Sequence, residues 1–142
     1  MGAPLLAVQG LRTSIYLDEG VVRAVNGVSF TVDRGQTMAI VGESGSGKSV
    51  LAQSIMRILP PRARIEAGHV WFAPSEAPPL DLTALDADGR AMRAIRGGAM
   101  AMIFQEPMTA FSPVHTIGDQ IGEVARLHRG LSRERARAAT ID

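Results

Sequence analysis

Short apolar runs bounded by turn residues dominate the first third of the chain. The stretches 5–15, 21–25 and 28–32 mix apolar and β-branched residues, which predicts strands, and Asn26-Gly27 predicts a hairpin turn between the last two. The runs 37–41 and 100–104 are almost wholly apolar, which is typical of strands buried on both faces. The pattern therefore predicts a strand-rich start and a later region that alternates strands with helices.

Helical periodicity begins directly after a glycine-rich stretch. Apolar residues recur there at i, i+4, i+7 and i+8, namely at Leu51, Ile55, Ile58 and Leu59. Pro60-Pro61 predicts the end of this helix. Further along, we predict a strand over 64–72 broken by Gly68, and a short helix over 85–95.

The last third of the chain predicts two helices. Thr116 and Asp119 match a helix-start box, and the apolar positions that follow share one face as far as Gly130. Ser132 predicts the cap of a final helix, whose arginines alternate with glutamates as on a solvated surface.

Composition narrows the class of protein. With 142 residues, 46% apolar and 20% charged, the chain has the length and balance of one globular domain. The net charge of +1 gives no general attraction to nucleic acid, so no nucleic-acid partner is expected. The absence of cysteine excludes disulfides and thiolate metal sites. The apolar runs are far shorter than the roughly 20 residues of a membrane span, so work at a membrane would be done from outside the bilayer.

A phosphate-binding loop is the strongest motif in the sequence. Residues 42–49 fit G-x-x-x-x-G-K-[ST] at every fixed position, with a predicted strand before them and a predicted helix after them. We therefore assign nucleotide binding to Gly42, Glu43, Ser44, Gly45, Ser46, Gly47, Lys48 and Ser49.

The chemistry of a triphosphate explains this spacing. Glycines allow the backbone to curl so that successive N–H groups point at one anion, and the following helix adds the positive end of its dipole. Lys48 supplies a positive charge to the β- and γ-phosphate oxygens, and Ser49 ligates Mg²⁺. The expected cofactors are ATP and Mg²⁺.

Two longer segments narrow the choice among P-loop proteins. The chain lacks the Asn-Lys-x-Asp motif of GTPases, and about forty residues precede the P-loop, which is unusual for a small kinase. Residues 24–30, Gly35 and residues 40–49 resemble ABC transporter ATPases, and residues 102–109 (MIFQEPMT) resemble the Q-loop of that family. The sequences of both segments are most similar to those of the oligopeptide and dipeptide importer branch, which includes nickel importers.

The resemblance implies an α/β fold, that of a P-loop NTPase with an ABC-type nucleotide-binding domain. It divides the chain into an antiparallel β-subdomain over 5–35, an incomplete RecA-like core over 36–105, and the start of a helical subdomain over 106–142. Gln105 matches the Q-loop glutamine, which implies a catalytic and Mg²⁺-contacting role alongside Lys48. Tyr16 is the candidate for stacking on adenine, although Ile15 occupies the neighbouring slot where relatives often carry an aromatic residue.

The same resemblance implies the setting in which the protein works. It implies an ATPase subunit that pairs with a second ABC ATPase subunit and binds integral membrane permease subunits. The protein would be peripheral, at the cytoplasmic face of the inner membrane, and would import di- or oligopeptides. A soluble ABC-class ATPase and a non-catalytic nucleotide-binding remnant remain alternatives.

Three motifs of the family do not occur in this sequence. It contains no Leu-Ser-Gly-Gly signature, no apolar strand ending in Asp-Glu and no later switch histidine. We therefore expect a fragment or truncated product whose 142 residues alone do not hydrolyse ATP at a useful rate.

Overall fold

The computed structural model describes residues 3–75, 77–105 and 111–141. Two compact units make up the chain, residues 1–92 and residues 93–142, and each is described by itself. The division falls between Met92 and Arg93, and the three subdomains expected over 5–35, 36–105 and 106–142 stay a prediction.

The first unit is built on a four-stranded antiparallel sheet. Strands β1 (Leu6–Leu17), β2 (Gly20–Val32), β3 (Ala63–Phe72) and β4 (Leu80–Asp81) lie in the order β2-β1-β3-β4. The central strand β1 therefore pairs on both sides, and its residues Val8 and Leu11 are fully buried.

One helix covers a face of this sheet. Helix α1 (Lys48–Met56) buries Leu51, Ile55 and Met56, and it ends at Arg57, whose backbone is left-handed with φ of 56°. A 3₁₀ turn at Leu82–Ala84 and the start of helix α2 (Arg90–Ile95) add the fully buried Leu82 and Met92 to this unit, and the division between the units falls within α2. The predicted helix over 85–95 is therefore shorter than expected, because an Asp86-to-Gly89 turn precedes it.

The second unit is a pair of helices, α3 (Ile117–Arg129) and α4 (Arg133–Ile141). The predicted helix start is confirmed, because the Thr116 hydroxyl accepts a hydrogen bond from the Asp119 N–H at 3.1 Å. Gly130 ends α3, and Ser132 accepts from the Arg135 N–H at 3.3 Å, as predicted. Gly122 and Ala136 are the buried residues of the two helices.

Four predictions about strands need correction. The stretches 21–25 and 28–32 form one continuous strand, β2, because Asn26 and Val28 both pair with β1 and no hairpin turn separates them. Gly68 does not end β3, but the pairing of β3 with β1 shifts register there, between the pairs Gln9–His69 and Arg12–Ala67. The runs 37–41 and 100–104 are not strands, and Val41 and Ile103 are each 92% exposed. A strand requires a hydrogen-bonded neighbour, and among the described residues the two runs have only an isolated bridge between Met100 and Arg96.

Candidate functional site

Residues 42–49 form a tight loop that opens α1. Gly45 and Gly47 adopt left-handed backbone conformations, with φ of 79° and 92°, and Gly47 is the residue that caps the helix. The Ser46 N–H donates to the Glu43 carbonyl at 3.2 Å, which closes a turn inside the loop. The segment is therefore curled and not extended, as the motif predicts.

Most amides of this loop remain unbonded. In the described part of the chain, the backbone N–H groups of Ser44, Gly45, Gly47, Lys48 and Ser49 donate no hydrogen bond to the protein. Two of these donors belong to the first turn of α1, where a helix has no internal acceptor and the positive end of its dipole lies. The loop thus presents a set of donors suited to an oxyanion.

Lys48 folds back over the same loop. Its Nζ donates to the carbonyl oxygens of Gly42 at 2.7 Å and Glu43 at 2.6 Å, and it lies 3.3 Å from Ser46 Oγ. These contacts hold the ammonium group at the mouth of the loop beside the unbonded amides. A cation and convergent N–H donors are the chemistry that a chain of phosphates requires, so the site fits the phosphate groups of ATP.

The loop is anchored against strand β2. A Cβ atom at position 47 would overlap the carbonyl oxygen of Ala24, so only glycine fits there. Ala24 has no partner on β1, because Thr13 pairs with Val25 and Ser14 pairs with Arg23. This β-bulge lies directly against Gly47 and sets the position of the phosphate-binding loop.

A buried pair of hydroxyl groups fixes α1 to the sheet. Thr13 Oγ1 of β1 lies 2.8 Å from Ser54 Oγ, and Ser54 also donates to the Val50 carbonyl at 2.6 Å. A hydrogen bond of this kind contributes about 1 kcal/mol to stability. Because both side chains are completely buried, removing one hydroxyl would leave the other unpaired, and that costs more than the bond itself contributes. The contact holds the helix, and with it the loop, on the Thr13 face of the sheet.

The residues predicted to be catalytic or to contact Mg²⁺ are divided between the two units: Lys48 and Ser49 belong to the first, and Gln105 belongs to the second. Ser49 is exposed in the first turn of α1, next to Lys48. Gln105 is exposed at the end of the 100–104 run in the second unit, and the rest of the predicted Q-loop, 106–109, lies outside the described residues. The pairing of Gln105 with the loop therefore stays a prediction. Across the described residues, no group of three or more histidine or acidic side chains could hold a metal ion.

Tyr16 lies on the sheet face opposite α1. Thr13 faces α1 and strand residues alternate, so Ile15 lies on the α1 face and Tyr16 on the other. The Tyr16 hydroxyl donates to Glu66 at 2.6 Å, which raises the pKa of Tyr16, and the Arg64 guanidinium lies 5.8 Å from the ring centre. The stacking of Tyr16 on adenine stays a prediction, and the alternation of side chains favours Ile15 for that contact.

Sequence reasoning missed the two anchors of the loop. Ser54 lies three residues after Leu51, on the apolar face of the helix, and this spacing is a local signal for burial. The contact of Gly47 with Ala24 joins residues 23 positions apart and depends on a bulge, for which the sequence carries no local signal.

Solved structures share this fold. The ATP-binding cassette MJ0796 bound to ADP and Pi superposes with a TM-score of 0.74 at 20% identity, covering 96% of this chain and 54% of that chain. A second structure of the same bacterial cassette gives a TM-score of 0.75 at 21% identity over 94% of this chain and 53% of that one. No helix in the described ranges has the length and apolar character needed to cross a membrane.

Curated relatives match nearly the whole chain. A Brucella abortus ATP-binding protein assigned to peptide import is 48% identical over 140 residues, 98% of this chain and 41% of the relative. The dipeptide transport ATP-binding protein DppD of Bacillus subtilis is 47% identical over 134 residues, 94% of this chain and 38% of the relative. The glutathione import ATP-binding protein GsiA of Escherichia coli is 44% identical over 133 residues, 93% of this chain and 21% of the relative.

The chain therefore spans about two fifths or less of the length of these relatives. The ABC transporter family model matches residues 25–141, which include the phosphate-binding loop, the strand β3 and both helices of the second unit. This chain belongs to the ABC transporter family.

Proposed function

We propose that this chain binds ATP through residues 42–49 and forms the nucleotide-binding part of an ATP-driven importer. The observation that carries the proposal is the set of unbonded loop amides beside the Lys48 ammonium group. A helix N-terminus, convergent N–H donors and one cation on a short tether match the charge and shape of a polyphosphate.

The residues of the loop have separate tasks in this proposal. The free N–H groups of the loop donate hydrogen bonds to the β- and γ-phosphate oxygens, and the Lys48 ammonium exchanges the carbonyls of Gly42 and Glu43 for those oxygens. The exposed Ser49 hydroxyl serves as a protein ligand to Mg²⁺, which when bound neutralises charge on the phosphates. The Gln105 amide both accepts from water and donates to oxygen, so it orients the attacking water.

Peptides are the solute class that the relatives support. Two of the three relatives carry peptide or dipeptide transport in their names, and the third carries glutathione, itself a small peptide. We infer integral membrane permease subunits and a second ABC ATPase subunit as partners, with the protein held peripherally at the cytoplasmic face of the inner membrane. Co-purification with a permease would separate this proposal from a soluble ABC-class ATPase.

Replacing Lys48 tests the nucleotide site directly. We expect Lys48→Ala to weaken ATP binding at least about tenfold, because a charge-assisted hydrogen bond contributes about 1.5–3 kcal/mol. Isothermal titration calorimetry of the 142-residue chain measures the change. Arg135→Ala, which removes one exposed positive charge from α4, is the matched control and leaves the affinity unchanged.

A chemical protection experiment adds a second readout. Lys48 is the only lysine in the sequence, so an amine-reactive reagent modifies one side chain besides the N-terminus. ATP should slow the modification of Lys48 and leave that of the N-terminus unaltered, as measured by peptide mass spectrometry. An affinity that Lys48→Ala does not change, together with equal labelling rates with and without ATP, would remove the loop from nucleotide binding.

A further inference from the structure

A second groove lies on the sheet face that α1 does not cover. It has a volume of about 720 Å³ and runs across β1, β2 and β3. Its polar lining residues are Arg12, Ser14, Tyr16, Arg23, Asn26 and Glu66, and Val21 and Val25 also line it. Because Tyr16 and the buried Thr13 lie on opposite faces of β1, this groove and the Thr13–Ser54 contact lie on opposite sides of the sheet.

The bulge in β2 builds this groove. Strand residues alternate between faces, so without an extra residue Arg23 would lie on the same face as Val25. Ala24 is that extra residue, and Arg23 consequently pairs with Ser14 on the outer face while Val25 pairs with Thr13 on the inner face. One insertion therefore brings Arg23 and Arg12 to the same side of the sheet.

Positive charge exceeds negative charge in the groove. Arg12 and Arg23 form no ion pair with any residue that the structure describes. Glu66 is the only lining carboxylate, and it already accepts a hydrogen bond from the Tyr16 hydroxyl at 2.6 Å. Two guanidinium groups that share a groove without a counter-ion repel each other, and an anion between them removes that repulsion.

The floor of the groove carries a hydroxyl group without a partner. Ser14 is only 7% exposed, and its side chain forms no hydrogen bond within the described part of the chain. It pairs across the sheet with Arg23 on β2 and with Arg64 on β3, and Arg23 also lines the groove. A nearly buried hydroxyl that lacks a protein partner is a ready donor for a ligand oxygen.

We propose that this groove binds a phosphate-bearing anion, which Arg12 and Arg23 hold by charge and Ser14 and Asn26 hold by hydrogen bonds. Planar guanidinium groups bind phosphate oxygens in pairs, and the neutral donors complete the set. The site is separate from the loop at 42–49 and does not depend on the function proposed for it. The phosphate belongs either to a small soluble molecule or to a phospholipid headgroup.

Chemical-shift mapping on the ¹⁵N-labelled full chain tests the site, with inorganic phosphate as the probe. We expect phosphate to shift the amides of Arg12, Ser14 and Arg23, besides any shifts at 42–49. Arg23→Gln should weaken binding at the groove at least fivefold and leave the shifts at 42–49 unchanged. Lys48→Ala should have the opposite effect, so failure of either site is recognised independently.

Arg62→Gln is the matched control for the groove. Arg62 is exposed and pairs with the exposed Asp18 at 3.2 Å, outside the groove, so its replacement should leave the phosphate shifts unaltered. Shifts confined to 42–49, or an unchanged affinity at the groove in both Arg12→Gln and Arg23→Gln, would overturn the proposal. Circular dichroism confirms that each variant is folded.

Vesicles separate the two sources of phosphate. The chain is co-sedimented with phosphatidylglycerol vesicles, and phosphatidylcholine vesicles serve as the reference. If the chain binds phosphatidylglycerol and Arg23→Gln weakens that binding, the phosphate belongs to a lipid headgroup. Shifts with inorganic phosphate and no Arg23-dependent sedimentation identify a soluble phosphate. Either result supports the groove as a phosphate site, and the absence of both overturns it.

Discussion

Gly47 meets two demands that no other residue type satisfies together. Its backbone is left-handed, with φ of 92°, which turns the chain from the loop into α1. Its Cα also lies so close to the Ala24 carbonyl of β2 that no side chain fits between them. The glycine therefore sets both the curl of the loop and its distance from the sheet.

Comparing Gly47→Ala with Gly45→Ala separates these two demands. Gly45 has a similar φ of 79° but open space around it, so alanine there meets only backbone strain of about 1–2 kcal/mol. Gly47→Ala adds steric overlap, and we expect it to lower the free energy of unfolding by about 2–5 kcal/mol and to abolish ATP binding. Urea unfolding and ATP titration of both variants measure this. Equal losses in the two variants would show that the contact with Ala24 contributes nothing.

Ile15 and Tyr16 are the two candidates for contact with the adenine base of ATP. Ile15 lies on the α1 face and Tyr16 is held by Glu66 on the other, so we expect Ile15→Ala to weaken binding of ATP but not of inorganic tripolyphosphate. Tyr16→Ala should change neither affinity. A loss of ATP affinity in Tyr16→Ala with an unchanged tripolyphosphate affinity would instead assign the adenine contact to Tyr16.

At the scale of elements, one carboxylate joins β3 to the segment that follows it. Asp81 Oδ1 accepts from the Thr83 N–H at 3.0 Å and the Thr83 hydroxyl at 2.7 Å, which caps the 3₁₀ turn, and Oδ2 lies 2.7 Å from His69 Nδ1 of β3. Burial alone would raise the pKa of Asp81, but hydrogen bonds from Thr83, His69 and Val70 outweigh it and lower the pKa.

The lowered pKa gives Asp81 a pH-dependent effect on stability. Since the folded pKa lies below the ordinary value of 3.8, the ionised group stabilises the fold above that value and loses its effect as pH falls through the folded pKa. We expect Asp81→Ala to cost about 1–2 kcal/mol at pH 7 and less below pH ~3. Urea unfolding across this range measures the difference, with the exposed Asp88→Ala as control. A cost for Asp81→Ala that is the same at both pH values would contradict the assignment.

Elements with local signals were predicted well, and elements that depend on distant partners were not. Helices α1, α3 and α4 begin near the predicted residues and α3 ends at Gly130, because apolar spacing, the Thr116 cap and Gly130 are all encoded within a few positions. Helix α1 ends at Met56, before Ile58 and Leu59 and before the end predicted at Pro60-Pro61. The apolar runs 37–41 and 100–104 match the pattern of buried strands, but pairing depends on a neighbour that the runs themselves do not contain. The hairpin turn predicted at Asn26-Gly27 is absent for a similar reason, because the residues on both sides of Gly27 pair with β1.

For the molecule as a whole, the local shape of the phosphate-binding loop was more predictable than the order of the strands around it. The P-loop motif encodes a local backbone shape, so its curled form and unbonded amides follow from residues 42–49 alone. The sheet order β2-β1-β3-β4 pairs residues as distant in sequence as Leu6 and Phe72, and neither the bulge at Ala24 nor the groove behind it has a local pattern.

Burial differs sharply between the two units of the chain. The largest fully buried apolar side chains all belong to residues 1–92, namely Val8, Leu11, Val70, Leu82 and Met92. Among the described residues after Met92, Ala136 is the only buried apolar side chain, whereas Ile121, Val124 and Leu127 of α3 are between 43% and 71% exposed. Burial of apolar surface supplies most of the free energy that resists opening.

Hydrogen exchange should therefore divide the chain into two levels of protection. We expect the amides of Val8, Leu11 and Val70 in the sheet to exchange at least about a hundredfold more slowly than those of Ile121, Val124 and Ala125 in α3, a difference of roughly 2.7 kcal/mol in opening free energy. All six amides lie within regular elements, so the comparison does not depend on loops. Amide-resolved exchange at pH 7 measures it, and Leu11→Ala should raise exchange in the sheet without changing that of α3. Equal protection in both units, or parallel changes in the variant, would show that the two units open as one.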